Sequence, residues 1–284
     1  MFFSPQEIAA LIQEDQPFLD LTTRMLGIGD QAANMRFRCR QDITVAGTEL
    51  AMKILDACGL TVTESQPSGA LVATGTTLLA AEGSASAAHS AWKVAQNVLE
   101  YACGIATYSA QLVQQACQIN PRVSVVATRK NIPGIRRFAV MAALAGGVMP
   151  HRLGISESVL VFDQHLAFLG GISPFLQQLA QYRRRVPSSK IVVEVQKTDH
   201  TLTDALALAQ AGVAGIQFDK MAPGPLAEIA AKLRAVAPEV TLFAAGGITL
   251  ANIQAYAATG MDALVTSAVY HAAPTDIGVE IRPV

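Results

Sequence analysis

The stretch VSVVATRKNIPGIRR, residues 123–137, decides how the rest of the sequence is interpreted. An apolar, β-branched run stops abruptly at Arg129-Lys130, a Pro-Gly turn follows, and Arg136-Arg137 then begin an apolar segment with helical spacing. A β-branched run that ends in charge and is followed by a helix is typical of α/β folds. Because the whole chain carries a net charge of only −1, this concentration of positive charge indicates a local site for a small anion.

The composition is that of an apolar α/β enzyme. Of the 284 residues, 51% are hydrophobic and 15% are charged, which suits parallel strands that helices cover on both faces. The near-zero net charge gives no support for a nucleic acid partner, and the short apolar runs predict no membrane span. The N-terminal MFFSPQEIAALIQEDQ lacks the basic residues of a signal peptide, and the four dispersed cysteines form no Cys-x-x-Cys pair. We therefore expect a cytoplasmic protein with reduced thiols.

Six strand-like segments alternate with helix-like segments from residue 123 onward. Such repetition predicts a parallel sheet, either a barrel or an open doubly wound sheet, and six strands are two fewer than a complete eight-stranded barrel needs. The predicted strands are VSVVAT (123–128), SVLVF (158–162), IVVEV (191–195), GIQFD (215–219), TLFAA (241–245) and ALVTSA (263–268). The predicted helices are IRRFAVMAALAGG, SPFLQQLAQYRRRV, TLTDALALAQAG, PLAEIAAKLRAVA and TLANIQAYAATG.

Polar or glycine residues stand where each predicted strand ends. Ligands bind at the carboxyl ends of the strands in barrels and in open α/β sheets, so we expect these residues to meet in one site. Ordinary strand-to-loop punctuation explains any one of them, but less readily all six together. They are Arg129-Lys130, Asp163-Gln164-His165, Glu194 with Gln196, Asp219-Lys220, Gly246-Gly247 and Ser267.

Charges of both signs are available for chemistry at these strand ends. The guanidinium groups of arginine match phosphate and carboxylate geometry, and lysine supplies a point charge. The cationic set comprises Arg129, Lys130, Arg136, Arg137, His151 and Arg152. The carboxylates of Glu194 and Asp219 can bind ribose hydroxyls or magnesium, or stabilise a cationic sugar. The alternative for Glu194 is a structural ion pair with a neighbour such as Lys197.

The segment AAGGITLANI predicts a phosphate site. Gly246 and Gly247 end a strand directly before a predicted helix, whose N-terminal amides can hold a phosphate, and Ser267 and His271 follow the next strand. A helix cap with a tight turn gives the same pattern. No spacing of His, Cys or Asp indicates zinc, and neither G-x-S-x-G nor a Walker-type loop occurs. The residues alone thus predict an α/β enzyme that handles a phosphorylated sugar and a second anion.

The first 120 residues predict a mixed α+β layer that forms a separate domain. The helix PQEIAALIQED precedes strand-like and helix-like segments, and a long helix with a continuous apolar stripe follows from about Ala85 to Ile119. Lys93 falls on the face opposite that stripe. It is either a solvated surface lysine or a lysine presented to a ligand or a partner subunit.

The run TRKNIPGIRRFAV resembles the TRK-x-x-PG-x-R signature of nicotinate-nucleotide pyrophosphorylase, also called quinolinate phosphoribosyltransferase. The resemblance continues through QEDQPFLDLTT, NVLEYACGIAT, GGVMPHRLGISESVLVFDQH, VVEVQ, QFDKM and AAGGITLANIQAYAATGMD. It implies an N-terminal α/β sandwich domain (residues 1–110 with 270–284) and an incomplete six-stranded α/β barrel (residues 111–269). It also implies a homodimer, possible higher oligomers, and an active site to which the neighbouring subunit contributes a helix residue.

The resemblance implies a reaction and a role for each matching residue. A ring nitrogen of a pyridine dicarboxylate displaces pyrophosphate from phosphoribosyl pyrophosphate, and decarboxylation follows. Glu194, Asp219 and Lys130 would be catalytic, with Glu194 and Asp219 facing the ribose and its magnesium ion. Substrate contacts would come from Lys93, Arg129, Lys130, His151, Arg152 and residue 162 around the acceptor, and from Ala245, Gly246, Gly247, Ser267 and His271 around the 5′-phosphate.

Four departures from the family pattern bear on the acceptor. The family's SDAVLIKDNH is SESVLVFDQH here, so Phe162 stands where a pocket lysine meets a substrate carboxylate. Lys93 replaces the helix arginine offered across the dimer, Pro150 an asparagine, and Ala245 a serine. A carboxylate that loses its buried cation is desolvated without a partner, which costs several kcal/mol.

The pattern AWKVAQNVLEYACGIAT with SESVLVF resembles the ModD branch of the family, which is associated with molybdenum transport. That resemblance implies a base or acid acceptor other than quinolinate. The alternatives are a true quinolinate phosphoribosyltransferase of NAD synthesis and a non-catalytic anion-binding or sensor protein.

Overall fold

The computed structural model describes residues 3–284. In chain order, its first elements are α1 (Pro5–Asp15), α2 (Leu21–Leu26), β1 (Ala32–Cys39), β2 (Ile43–Thr44), α3 (Thr48–Ala57), β3 (Thr61–Ser65), β4 (Leu71–Val72), β5 (Thr77–Ser84) and α4 (Ala85–Ile119). They are followed by β6 (Ser124–Ala127), α5 (Arg136–Ala145), β7 (Met149–Pro150), β8 (Val159–Val161), α6 (Asp163–Leu169), α7 (Ile172–Arg185), β9 (Ile191–Val195), α8 (Thr201–Gln210), β10 (Gly215–Asp219), α9 (Pro223–Val236), β11 (Thr241–Ala245), α10 (Ile253–Ala257), β12 (Ala263–Thr266), a 3₁₀-helix (Ala268–His271) and β13 (Ile277–Pro283).

The chain divides into two compact units. The first comprises the described residues up to Ala110 together with Ile132–Gly147 and Val269–Val284, and the second comprises Gln111–Asn131 and Val148–Ala268. The predicted boundaries differ from these mainly at Ile132–Gly147, a segment that the sequence predicts to be part of the barrel. This segment contains α5, whose Phe138 and Met141 pack against the hydrophobic core of the first unit.

The first unit is built on a four-stranded antiparallel sheet in the order β13-β1-β5-β3. Burial along β1 alternates, with Met35 and Phe37 in the core and Arg36 exposed, as expected for a strand with one covered face. Helices α3 and α4 cover that face, contributing Ile54 and Leu99 to the same apolar cluster. The long helix predicted from Ala85 to Ile119 is confirmed.

The second unit is an incomplete α/β barrel, as the sequence predicts. Its strands lie in the order β7-β6-β12-β11-β10-β9-β8, all pairs are parallel, and the edge strands β7 and β8 are not neighbours in the sheet. Strands β9 and β12 are buried along their whole length, which explains their continuous apolar sequences. The described part of the chain gives this sheet seven strands rather than six. The additional strand, Met149–Pro150, has only two residues and contains a proline, which sheets accept at an edge.

Helix predictions in the second unit are confirmed for α7, α8 and α9, but the helix predicted over TLANIQAYAATG is shorter. It begins only at Ile253, because residues 250–252 form a turn. The Asn252 side chain holds that turn, accepting from the Thr249 N–H at 2.9 Å and donating to the Gly247 carbonyl at 2.9 Å. The helix α6 follows Phe162 directly. Among the described residues, no helix combines the length and apolar character that a membrane span needs.

Gly104 in α4 tests how closely the first unit is packed. A Cβ atom at this position would overlap the carbonyl oxygen of Ala273, so Gly104→Ala should lower the thermal unfolding midpoint by about 2–10 °C, although alanine is the better helix former. Gly224→Ala in α9 is the matched control, because a Cβ there meets nothing within 4 Å. Differential scanning calorimetry measures both variants, and equal midpoints for the two would contradict the packing described.

Candidate active site

The carboxyl ends of the barrel strands enclose a cavity of about 160 Å³. The cavity thus lies at the polar strand ends, and it brings together residues that are up to 137 positions apart in the sequence (Thr128 to Val265). The cavity is lined by Thr128, Arg129, Lys130, His151, Arg152, Leu160, Phe162, Glu194, Gln217, Asp219, Ala245, Gly246 and Val265. Its volume is below the usual range of about 300–1,000 Å³ for ligand pockets, so it accommodates a ring or a phosphate group better than a whole nucleotide.

Glu194 is a buried carboxylate at the centre of this site, with 9% of its surface exposed. Its Oε2 accepts from Gln217 Nε2 at 2.7 Å, and its Oε1 accepts from Gln196 Nε2 at 2.9 Å. Burial raises the pKa of Glu194, and so does the nearby Asp219, while Gln217, Lys130 and Gln196 act in the opposite direction. The donors are two amides and not Lys197, so the carboxylate is stabilised without a structural ion pair.

The opposite charges in the cavity come from Arg129, Lys130 and Arg152. Lys130 follows the end of β6 in a turn in which its N–H donates to Thr128 Oγ1 at 3.1 Å. Burial and the neighbouring Arg129 lower the pKa of Arg152, but a guanidinium keeps its charge in proteins. Three cations and two carboxylates therefore share one small, partly enclosed space.

His151 is a neutral member of the site. Burial, and then the charge of Arg152, lower the pKa of its imidazole, so it carries no charge at neutral pH. The backbone N–H of His151 donates to the Ala127 carbonyl at 2.8 Å, and its ring makes an edge-type contact with the Phe243 ring, with 5.3 Å between the centroids. Its Nε2 is buried and has no hydrogen-bond partner.

Phe162 gives the cavity an aromatic wall. The Arg152 guanidinium carbon lies 5.7 Å from the centroid of the Phe162 ring, within the range of a cation–π interaction. The ring also stacks on His165, whose Nδ1 accepts from the Phe162 N–H at 3.0 Å. An aromatic ring in contact with both Arg152 and His165 thus stands at the position where the family resemblance implies a lysine.

A Gly-Gly turn closes the cavity beside Asp219. Gly246 and Gly247 have φ values of 90° and 73°, and a Cβ on Gly246 would lie 2.8 Å from Asp219 Oδ1. Only glycine therefore lets these two strand ends approach so closely. The phosphate site predicted from helix N-terminal amides directly after Gly247 is wrong in this respect, because α10 begins six residues later.

Two domains of one known protein family together match almost the entire chain. Residues 20–103 match the quinolinate phosphoribosyl transferase N-terminal domain, and residues 105–280 match the C-terminal domain of the same family. The chain belongs to the quinolinate phosphoribosyl transferase family.

Relatives within this family share both sequence and fold with the chain. A protein of Escherichia coli O6:H1 named "Putative pyrophosphorylase ModD" is 39% identical over 283 residues, which cover 100% of this chain and 98% of the relative. A protein of the same name from Rhodobacter capsulatus is 41% identical over 247 residues, covering 86% of this chain and 92% of the relative. The crystal structure of NadC from Streptococcus pyogenes superposes with a TM-score of 0.89 at 22% identity, covering 100% of this chain and 99% of the other.

Several residues that the family resemblance singles out do not line the cavity. Gly247 and Ser267 belong to the second unit but are not among its lining residues. Lys93 and His271 belong to the first unit. There Lys93 Nζ donates to Gln96 Oε1 at 2.9 Å and lies 4.2 Å from the Trp92 ring centroid, so this lysine is half-buried rather than fully solvated.

The cations of the opening stretch divide between the two units. Arg129 and Lys130 line the cavity, whereas Arg136 and Arg137 begin α5 in the first unit. Arg137 forms an ion pair with Glu7, at 2.7 Å. The expectation that all of these charges form one basic set is therefore wrong for Arg137, because its guanidinium already has a carboxylate partner.

Sequence reasoning missed Gln217, whose amide donates to Glu194. The available signal is the alternation of side chains along a strand: in GIQFD, Gln217 and Asp219 are two residues apart and therefore face the same side. No group of three or more His, Cys, Asp or Glu residues able to hold a metal occurs within residues 3–284. A metal ion at this site would therefore have at most the two carboxylates as protein ligands of these types.

The buried carboxyl of Glu194 predicts a pH dependence of stability. Because its pKa is raised in the folded state, the folded protein binds this proton more tightly, so its contribution to stability falls as the pH rises from about 4.5 through the raised pKa. Glu194→Gln removes this dependence. The free energy of unfolding of the variant minus that of wild type, measured by urea unfolding, should therefore be larger at pH 7.5 than at pH 4.5.

Glu228→Gln is the control, since Glu228 is exposed on α9 and its substitution should change stability by less than about 0.5 kcal/mol. A stability difference between Glu194→Gln and wild type that is constant with pH, or that runs in the opposite direction, would show that burial does not raise this pKa.

Proposed function

We propose that the chain transfers ribose 5-phosphate from phosphoribosyl pyrophosphate to a nitrogenous acceptor other than quinolinate. The observation that carries this proposal is that charges of both signs line the cavity. Positive charge comes from Arg129, Lys130 and Arg152, and negative charge comes from Glu194 and Asp219. A pure anion-binding protein gains nothing from two carboxylates that face its ligand. A transferase needs both signs, because its substrate is an anion whose sugar becomes cationic during the reaction.

The cations serve the leaving group and the anionic part of the acceptor. In the transfer, a ring nitrogen of the acceptor forms a bond to the anomeric carbon, and the bond from that carbon to pyrophosphate breaks with its electrons passing to the pyrophosphate oxygen. Lysine and arginine stabilise that oxygen as its charge develops. Lys130 lines the cavity and is exposed, so it can meet a large and highly charged leaving group.

The carboxylates serve the sugar. As the bond to pyrophosphate breaks, the ribosyl ring acquires positive charge, and a carboxylate about 4 Å away stabilises a unit charge by roughly 4 kcal/mol at an effective dielectric constant near 20. Glu194 is held in place by two amides, and Asp219 lies close to the Gly246 turn. The two hydrogen bonds fix the Glu194 carboxylate before the charge develops, so its stabilisation is preorganised.

Magnesium is part of the proposal as a substrate-bound ion. The donor set fits it, because magnesium is usually held by one or two carboxylates together with substrate phosphates. Asp219 and, through its remaining lone pairs, Glu194 would contribute those carboxylate oxygens. Bound there, the ion would neutralise charge on pyrophosphate as it leaves.

Phe162 is the reason to propose an acceptor other than quinolinate. Quinolinate carries two carboxylates, and an aromatic ring in the cavity leaves one of them without the lysine that the family pattern supplies. The alternative, a true quinolinate phosphoribosyltransferase, is favoured by Arg152, whose guanidinium lies over the Phe162 ring and offers a cation close to the missing one.

Further parts of the proposal rest on the family resemblance. They are a homodimer in which Lys93 reaches the active site of the neighbouring subunit, a cytoplasmic location and a link to molybdenum transport or metabolism. The name ModD of the relatives is the support for that link.

Variants of the two carboxylates test the transferase proposal. Glu194→Gln and Asp219→Asn keep the side-chain shapes but remove the charge, so each should lower the rate of pyrophosphate release by about 100-fold or more in the presence of magnesium, phosphoribosyl pyrophosphate and a panel of pyridine acids and nucleobases. Glu228→Gln is the control and should retain the wild-type rate. Rates near wild type in both carboxylate variants, or no release with any acceptor, would contradict the proposal.

Exchanging Phe162 for lysine tests the acceptor. Wild type should form nicotinate mononucleotide from quinolinate poorly, and Phe162→Lys should raise kcat/KM for quinolinate about tenfold or more by supplying a partner for its carboxylate. Phe168→Lys is the matched control, because Phe168 is 94% exposed on α6 and does not line the cavity. Product analysis by mass spectrometry measures the reaction, and efficient conversion of quinolinate by wild type would favour the alternative.

A further inference from the structure

Gln217 has a buried side-chain amide whose nitrogen is hydrogen-bonded and whose oxygen is not. Only 5% of its surface is exposed, it lies on β10 beside Glu194 of β9, and it lines the cavity. Its Nε2 donates to Glu194 Oε2 at 2.7 Å, but its buried Oε1 has no hydrogen-bond partner. Most buried polar atoms in proteins are paired, so an unpaired one on a side chain that lines a cavity points to a ligand.

Chemistry fixes the orientation of this amide. An ionised carboxylate can only accept hydrogen bonds, so Gln217 must direct its N–H group toward Glu194 and its carbonyl oxygen away from it. Gln196 Nε2 donates to the other carboxylate oxygen, so both oxygens of Glu194 already act as acceptors. Gln217 Oε1 is therefore held as a hydrogen-bond acceptor and cannot rotate away without breaking its bond to Glu194.

The position of Gln217 favours the acceptor base over the sugar as the ligand that pairs with Oε1. Gln217 is buried, whereas Asp219, two residues further along the same strand, is half-buried nearer the strand end. The neighbouring lining includes Leu160, Phe162 and Val265, which suit a flat ring. The volume of about 160 Å³ also suits a ring rather than a ribosyl pyrophosphate.

We propose that Gln217 determines specificity, by selecting an acceptor base that carries an N–H donor on its ring or on a ring substituent. This inference rests on the proposed transferase function and deepens it. Quinolinate with an unprotonated ring nitrogen has no such donor and would leave Gln217 Oε1 buried and unpaired. An acceptor with an N–H group removes that cost, which corresponds to about five- to hundredfold in affinity.

Calorimetric titration of wild type with four matched probes tests the inference without requiring turnover. Nicotinate, 2-aminonicotinate and 6-aminonicotinate share a ring and a carboxylate and differ in the amino donor, while 2-(dimethylamino)nicotinate keeps the amine but has no N–H. At least one aminonicotinate should bind at least about fivefold more tightly than nicotinate, and the dimethylamino compound should show no such gain. Equal affinities for all four probes would overturn the inference.

Two variants then assign the effect to Gln217 Oε1. Gln217→Met should reduce the preference for the aminonicotinate to less than about twofold. Gln196→Met removes the other amide donor to Glu194 but leaves Gln217 Oε1 in place, so it should retain the preference. Retention in Gln217→Met, or equal loss in both variants, would overturn the inference, because the effect would then act elsewhere or through Glu194.

Phosphoribosyl pyrophosphate with magnesium is the last probe, since its ribose hydroxyls are donors too. If Gln217→Met weakens its binding fivefold or more and leaves the aminonicotinate preference intact, Gln217 reads the sugar and the inference is wrong. Failure of the proposed function is a separate result: it is the absence of pyrophosphate release with every base, whereas the inference is decided by affinities alone.

Discussion

The parallel register between β9 and β10 is the constraint on which the site depends. It places Gln217 opposite Glu194 on neighbouring strands, so both side chains face the same side of the sheet and the amide reaches the carboxylate. The adjacent pairing of β10 with β11 sets Asp219 against Ala245 and brings the Gly246 turn into contact with it. A slip of one residue in either pairing would turn these side chains to the opposite face and remove the site.

The negative charge of Glu194 is stabilised differently from the charges in the ion pairs elsewhere in the protein. The Arg137–Glu7 pair is about half exposed on both sides, and such pairs contribute little to stability. Glu194 is buried and receives two neutral amide donors, so its negative charge is stabilised but not cancelled by a neighbouring cation. The cost of this arrangement is visible in its raised pKa, and a transferase gains from it a carboxylate that can respond to positive charge on a sugar.

The sequence predicts the barrel and the location of the site well, because both follow from periodic patterns. Apolar strands that end in Arg129-Lys130, Glu194 and Asp219 need only the rule that parallel strands finish at one edge. The sequence predicts less well the features that depend on tertiary contacts or on single side-chain hydrogen bonds. The partner of Arg137 lies 130 residues away in α1, the extra strand at Met149–Pro150 is too short to produce a pattern, and the turn before α10 depends on a side-chain bond of Asn252. Gln217 appears in sequence as one polar residue in a buried strand, and only the register with Glu194 gives it a role.

The central claim is that the cations and carboxylates around the cavity at the strand ends bind phosphoribosyl pyrophosphate, while the cavity itself holds the ring of the acceptor. A crystal structure of the protein grown with phosphoribosyl pyrophosphate and magnesium tests this claim most directly. The predicted result places the anomeric carbon of the ribose beside the carboxylates of Glu194 and Asp219, with the pyrophosphate against Lys130 and the neighbouring arginines. A ligand bound elsewhere on the protein, or no bound ligand at saturating ligand concentration, would contradict it.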